Sequence, residues 1–214
     1  MKLRPLGRGV FIRYFSGTIV RPFSTLASLQ SDPKGFAKGF RAILIPAVLF
    51  TISSGLLAVG GAILPAPAVL PLGGVNYYFY QIFFALPVLL AGWAVSAAIA
   101  RLFGRWRKGR GTLRGTLAAL GFAFGLPALA AWIGQAVFAG LILAGMSQEE
   151  FMDLTAEPGT LRTIAFAGQA LVVAWMVLLS IAAVRAGLRI GWKAIPVGTL
   201  AAAIFLTAVL VCIR

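Results

Sequence analysis

Charged residues fall in short blocks along this chain, and the runs between them, 42–100, 115–148, 163–184 and 194–213, contain no Asp, Glu, Lys or Arg. A helix needs about 20 apolar residues to cross the hydrocarbon of a bilayer, so every run is long enough, and the first has room for two helices and a turn. The pattern predicts spans at 42–64, 78–100, 117–145, 163–184 and 194–213. The third is overlong, and Pro127 within it offers a kink that would let it tilt. Between the first two spans, 65–76 gathers Pro65, Pro67, Pro71, Gly73 and Gly74, where a continuous helix is not expected. Tyr77, Tyr78 and Tyr80 follow, at the depth where amphipathic rings settle among headgroups. The expected fold class is all-α, an integral membrane bundle of five transmembrane helices with an N-terminal amphipathic interfacial segment.

That segment, 1–41, precedes the membrane domain 42–214. Phe11, Phe15, Ile19, Phe23 and Leu26 recur at helical spacing with Arg4, Arg8 and Arg13 beside them, the pattern of a helix lying in the interface. Gly17 and Pro22 are expected to break it. A second short piece opens at Asp32-Pro33, an N-cap followed by proline at the first helical position, and leads through Phe36 and Phe40 into the first span. The arginines also interrupt any continuous apolar stretch near the N-terminus, so a cleavable signal peptide is not expected and the first span serves as the insertion signal.

Composition narrows the chemistry. The chain has 214 residues, 60% of them hydrophobic, no His and a single Cys, with a mean hydropathy of +0.95. His and Cys metal sites, His general bases and internal disulfides are thereby excluded, and Cys212 reads as a small packing residue. The net charge of +14 invites a nucleic-acid reading, but its distribution assigns it to topology. All basic residues except Arg162 and Arg214 lie before the first span, in 101–114 or in 185–193, while Glu149, Glu150, Asp153 and Glu157 share the segment of Arg162. Excess Lys and Arg marks the cytoplasmic side. No nucleic-acid partner is expected; the partners are the bilayer, its anionic headgroups and a protein on the cytoplasmic side.

Three amides lie inside the spans, Gln81, Gln135 and Gln169, each sharing a helical stripe with small residues. Small residues let membrane helices approach closely and amides hydrogen-bond across them, so all three are expected to face inward, as interhelical glue or as the lining of a polar groove. Gly121-x-x-x-Gly125 has close-packing spacing but arises easily by chance among 25 glycines. Gly187-x-x-x-Gly191 is read as part of a basic loop and not of a helix contact. Trp93, Trp132 and Trp175 stand near mid-span, where an indole N–H needs a partner, and Trp106 and Trp192 beside basic residues read as interface anchors. The acids of 147–162 lack the alternation of a calcium loop and read as a solvated cap; no metal, cofactor or catalytic residue is assigned. Because no Asp, Glu, Lys or Arg lies deep in any span, proton pumping, ion-coupled transport and intramembrane acid–base catalysis are all disfavoured.

The segment Pro22-Phe23-Ser24-Thr25-Leu26, the span spacing, and a fourth span running through Trp175, Leu179 and Arg185 toward Lys193-Ala194 resemble bacterial members of the Yip1 family from about Val20 onward. In place of the family's Pro-x-x-Thr-Phe the chain has Leu26. Eukaryotic relatives associate with Rab-type GTPases in the early secretory pathway, but their Asp-Leu-Tyr-Gly-Pro element has no counterpart here, so that role is not implied. The resemblance and the charge pattern together suggest a non-enzymatic protein of the bacterial inner membrane. Its basic face, Arg101, Arg105, Arg107, Lys108, Arg110 and Arg114, contacts anionic lipid or a recruited partner. The alternative is a passive transporter or lipid-translocating component with a groove lined by the three glutamines. In this topology the N-terminus is cytoplasmic and the C-terminus extracytoplasmic. A reporter fused after Arg214 should therefore behave as extracytoplasmic and one inserted at 109–111 as cytoplasmic; a cytoplasmic C-terminus would refute the five-span reading.

Overall fold

Helices account for most of the computed structural model, which describes residues 7–63, 76–156 and 159–213. Most of the proline-rich stretch 65–76, with Arg4, Glu157, Arg214 and the side chains of Arg8 and Cys212, lies outside the described residues. The order is α1 (Gly7–Val20), α2 (Pro22–Gln30), α3 (Gly35–Val59), α4 (Tyr77–Trp106), α5 (Leu113–Leu143), α6 (Gln148–Ala156), α7 (Thr160–Leu188) and α8 (Ala194–Ile213). Among the described residues there is no strand, and five helices, α3, α4, α5, α7 and α8, are long and apolar enough to cross a membrane.

Four of these helices overrun the charge-free runs at the basic end, and α7 also takes in Arg162 at the other. Here α3 takes in Lys38 and Arg41, α4 takes in Arg101 and Arg105, α5 starts before Arg114, and α7 continues past Arg185. Long basic side chains allow this, because their stems lie along apolar surface while the charge reaches water. This basic end carries the starts of α3, α5 and α8 and the ends of α4 and α7.

The five long helices close into a ring in the order α3, α5, α7, α8, α4, and back to α3. Sequence neighbours α4 and α5 touch less, across the middle of the ring. The closest association is α3 with α5, and it is made by backbone. A Cβ on Gly121 would stand 2.2 Å from the Gly39 carbonyl oxygen, one on Gly125 2.2 Å from that of Ala42, and one on Gly39 2.4 Å from that of Ala118. Gly121-x-x-x-Gly125 is thus the centre of the tightest interface, and only glycine permits this approach. Around it the core is built largely of alanine with Phe122, Phe124 and Phe205, the last two stacked at 4.3 Å between centroids. Helix α5 continues through Pro127, as α3 does through Pro46 and α4 through Pro87.

The N-terminal residues form two helices that dock on the bundle. α1 runs past Gly17, and the break comes at Arg21-Pro22. Gly17 serves the contact between α1 and α2, since a Cβ there would meet Thr25 Oγ1 at 2.8 Å. Leu26 and Leu29 are fully buried, with α2 against α7 and α5. Phe11 and Tyr14 of α1 contact the ring of Phe122 at 5.7 and 6.2 Å, about 14 Å along α5 from Leu113 at 1.5 Å per residue. Ile12, Ile19, Val20 and Phe23 remain exposed, so the outward face keeps an apolar character beside exposed Arg13 and Arg21.

At the corner into α3 the N-cap residue is Lys34, not Asp32. The Asp32 carboxylate instead accepts from the Lys34 backbone N–H (2.8 Å), contacts Lys38 Nζ, and is approached by the Tyr14 hydroxyl. Burial works against its ionisation, but the hydrogen bond from Lys38, the Lys34 amide, the Lys38 charge and the Tyr14 hydroxyl outweigh that and hold its carboxyl below the usual range. Burial first, then the charge and hydrogen bond of Asp32, push the Tyr14 phenol upward. One acid thus fastens α1 to the start of α3.

At the opposite end Tyr77 and Tyr78 turn inward, whereas Tyr80 is exposed. Tyr77 donates to the Val211 carbonyl at 3.3 Å, joining the start of α4 to the end of α8. The acidic stretch folds as α6 through a capping box: Glu150 N–H donates to Ser147 Oγ (3.1 Å) and Ser147 N–H to Glu150 Oε2 (2.8 Å). Gln148 pairs through its amide with both backbone groups of Ile63, and Phe151 packs on Phe138.

The glycine contacts yield a differential test. Gly121→Ala should destabilise the bundle by about 1–3 kcal/mol, because the neighbouring backbone cannot retreat. Gly134→Ala, whose new methyl has nothing within 4 Å, should be neutral or stabilise by up to about 1 kcal/mol. Unfolding in mixed micelles measures both; equal effects would mean that the α3–α5 approach is not what holds the bundle.

Candidate functional site

Two arrangements stand out, one at the basic end and one toward the opposite end. The basic end is built from loops that lock together. After α4, Lys108 adopts a left-handed conformation (φ 58°) and the Gly109 amide returns to the Gly104 carbonyl at 2.8 Å. After α7, Arg189 does the same (φ 57°). The Arg110 amide donates to the Leu188 carbonyl at 3.2 Å. Cβ atoms on Gly109 and Gly111 would run into the carbonyl oxygens of Leu188 and Gly187, at 2.8 and 1.7 Å. Gly187 therefore belongs to the last turn of α7 and lies at a backbone contact, contrary to the loop reading, while Gly191 has open space around it. The two loops form one surface.

Arg105, Arg107, Lys108, Arg110 and Arg114 are exposed on or beside that surface, and half-buried Arg101 donates to the Gly109 carbonyl at 3.5 Å. Trp106 and Trp192 are 83% and 76% exposed at its edge. Arg185 lies over the Phe23 ring at 5.4 Å. Among the described residues the ion pair present is Lys38–Asp32, so these cations are left without carboxylate partners. Lys108 and Arg189 follow the ends of α4 and α7, where positive charge complements the helix dipole. The left-handed backbone, easy for glycine, costs a side-chain-bearing residue about 1 kcal/mol.

The second arrangement joins α3, α4 and α5. Gln135 Nε2 lies 3.5 Å from Ser54 Oγ, and Ser54 Oγ lies 2.8 Å from both Gln81 Oε1 and the Phe50 carbonyl. The amide of Gln135 donates to the serine, and the serine hydroxyl donates onward. One turn along α5, the Trp132 indole N–H donates to Ser53 Oγ at 2.9 Å; Trp93 donates to the Leu117 carbonyl at 3.0 Å. Gln81, Ser53 and Ser54 are buried and Gln135 is half-buried. Gln169 does not join them. It continues the stripe of Met176 and Ser180, but α7 stands clear of the bundle there, and 162–171 is exposed wherever its side chains are described. The serines were not identified from the sequence; the signal was their neighbouring position on α3, which only the α3–α5 approach turns toward the glutamines. Among the described residues no group of three or more His, Cys, Asp or Glu could hold a metal ion.

A ring of five apolar helices with a one-sided basic surface defines a multi-pass membrane protein. The model of the Yip1 domain matches residues 16–213, nearly the whole chain, so the chain belongs to the Yip1 family. The match includes all of α2 and the last turn of α1, in keeping with the docking of α2 on the bundle. Neither the curated proteins nor the solved structures contain a match.

The two arrangements differ in what substitution should do. Gln81→Leu should loosen the fold by about 0.5–2 kcal/mol, the range for interhelical hydrogen bonds in membranes. Gln135→Leu should cost less, given its longer contact, and Gln169→Leu should be neutral or stabilising. Denaturation of the three variants in detergent checks the order; a larger loss for Gln169→Leu than for Gln81→Leu would overturn it.

Proposed function

We propose that this Yip1-family protein is a non-enzymatic organiser of a bacterial inner membrane, whose basic end faces the cytoplasm, holds anionic headgroups and presents a docking surface to a protein partner. The locked basic surface carries this reading. Two interlocked loops hold cations that have no carboxylate partner among the described residues, two of them at left-handed positions that backbone energetics alone would give to glycine. Loops already locked at the backbone lose little backbone freedom when they meet an anionic layer, so more of the attraction of their cations appears as affinity. The orientation follows from the bias of Lys and Arg toward the cytoplasmic side, and puts the end of α8 outside. The rival reading, transport through a glutamine-lined groove, has less behind it, because Gln81 and Gln135 are linked through Ser54 and Gln169 stands apart.

Protein held in neutral nanodiscs and mixed with separate anionic vesicles tests the proposal. Replacing Arg105, Arg107, Lys108 and Arg110 with Gln should weaken vesicle capture on the order of a thousandfold, since each basic residue near a membrane surface contributes about 1 kcal/mol. Capture unchanged by the four substitutions would confine those residues to setting topology.

A further inference from the structure

One part of the basic end is concave. Between the first turn of α3 and the first turns of α5, Phe36, Leu113, Arg114 and Leu117 line a shallow, largely open groove of about 510 Å³. Its walls are firmly held. Phe36 stacks on Phe40 at 6.4 Å and on Trp93 at 6.2 Å. Trp93 is anchored in turn by its hydrogen bond to the Leu117 carbonyl. Arg114 is the single charged residue of the lining. Its guanidinium lies over the Phe36 ring at 5.9 Å, and it has no carboxylate partner, since the ion pair among the described residues joins Lys38 to Asp32.

The depth of these groups decides what fits. Arg114 stands in the first turn of α5, at the level of the basic loops, and Leu117 lies about 4.5 Å further along the helix, toward the hydrocarbon. The groove therefore presents an unneutralised cation where headgroups lie and an apolar wall where acyl chains begin. Those are the polarities of an anionic phospholipid in the same order. We propose that this groove binds one anionic phospholipid, with its phosphate on Arg114 and its first acyl segments against Phe36, Leu113 and Leu117. The inference rests on the basic end lying at a headgroup layer, as in the function proposed above, but it adds a defined site to what is otherwise a diffuse surface.

Native mass spectrometry of the full chain, released from micelles doped with phosphatidylglycerol or with phosphatidylcholine of the same acyl chains, provides the test. One phosphatidylglycerol should be retained in preference to phosphatidylcholine. Arg114→Gln should lower that retention about fivefold or more, and Arg114→Lys should restore part of it. Leu113→Trp changes a half-exposed rim residue and so should not disturb folding, yet it should fill the groove and lower retention with all charges intact. The variant with four glutamines in the loop should still retain the lipid, which separates this site from the surface reading. Retention unaffected by both Arg114→Gln and Leu113→Trp would overturn the proposal, as would retention lost only in the loop variant. A dimer of the chain that both groove variants dissolve would also overturn it, by showing that a second copy fills the groove.

Discussion

The contact on which the rest of the molecule depends is the approach of α3 to α5, backbone against backbone through Gly39, Gly121 and Gly125. Lipid tails are as apolar as leucine, so helices in a membrane gain little from hiding apolar side chains from one another. They gain from close packing and from hydrogen bonds. Once α3 and α5 lie this close, Ser53 and Ser54 come within reach of Trp132 and Gln135 toward one end. At the other end the same pair leaves the groove bounded by Phe36, Arg114 and Leu117. The amide cluster and the groove are two consequences of one glycine interface.

The positions of the helices were legible in the sequence because charge-free runs are a direct trace of the hydrocarbon layer. The order around the ring was not. Nothing in 42–100 announces that α3 lies against α5 more closely than against α4, since small residues recur on every span and spacing alone names no partner. Gly121-x-x-x-Gly125 looked ordinary for that reason. Gln169 failed to join the other amides for a related one: its stripe does face the bundle along the half of α7 that is packed, but the helix diverges from its neighbours before the stripe reaches Gln169. The short helix α6 is a different case. Ser147-x-x-Glu150 is a capping box readable without a structure, and the clustering of acids drew attention to cation binding instead of to the helix start. As for the candidate site, the basic residues were visible in the sequence, but the locking of the loop backbone that carries them depends on Gly109 and Gly111 meeting the backbone of α7, a contact between segments distant in sequence.

Charge at the basic end is distributed unevenly. Asp32, the one acid in the sequence before Glu149, is occupied by Lys38, the Lys34 amide and Tyr14, and its work is to fasten α1 to the start of α3. With that acid engaged, nothing described on this end neutralises the arginines of the α4–α5 loop or Arg189. Like charges gathered on one surface repel, and Lys108 and Arg189 add backbone strain of about 1 kcal/mol each. A glycine at either position would relieve the strain and reduce the repulsion. The fold keeps both costs on loops whose own close contacts already use glycine at 109 and 111, and the proposed contact with an anionic layer or partner would offset them. The proposed binding role rests on this difference: setting topology requires only that the cations be present, whereas here the backbone that carries them is also locked.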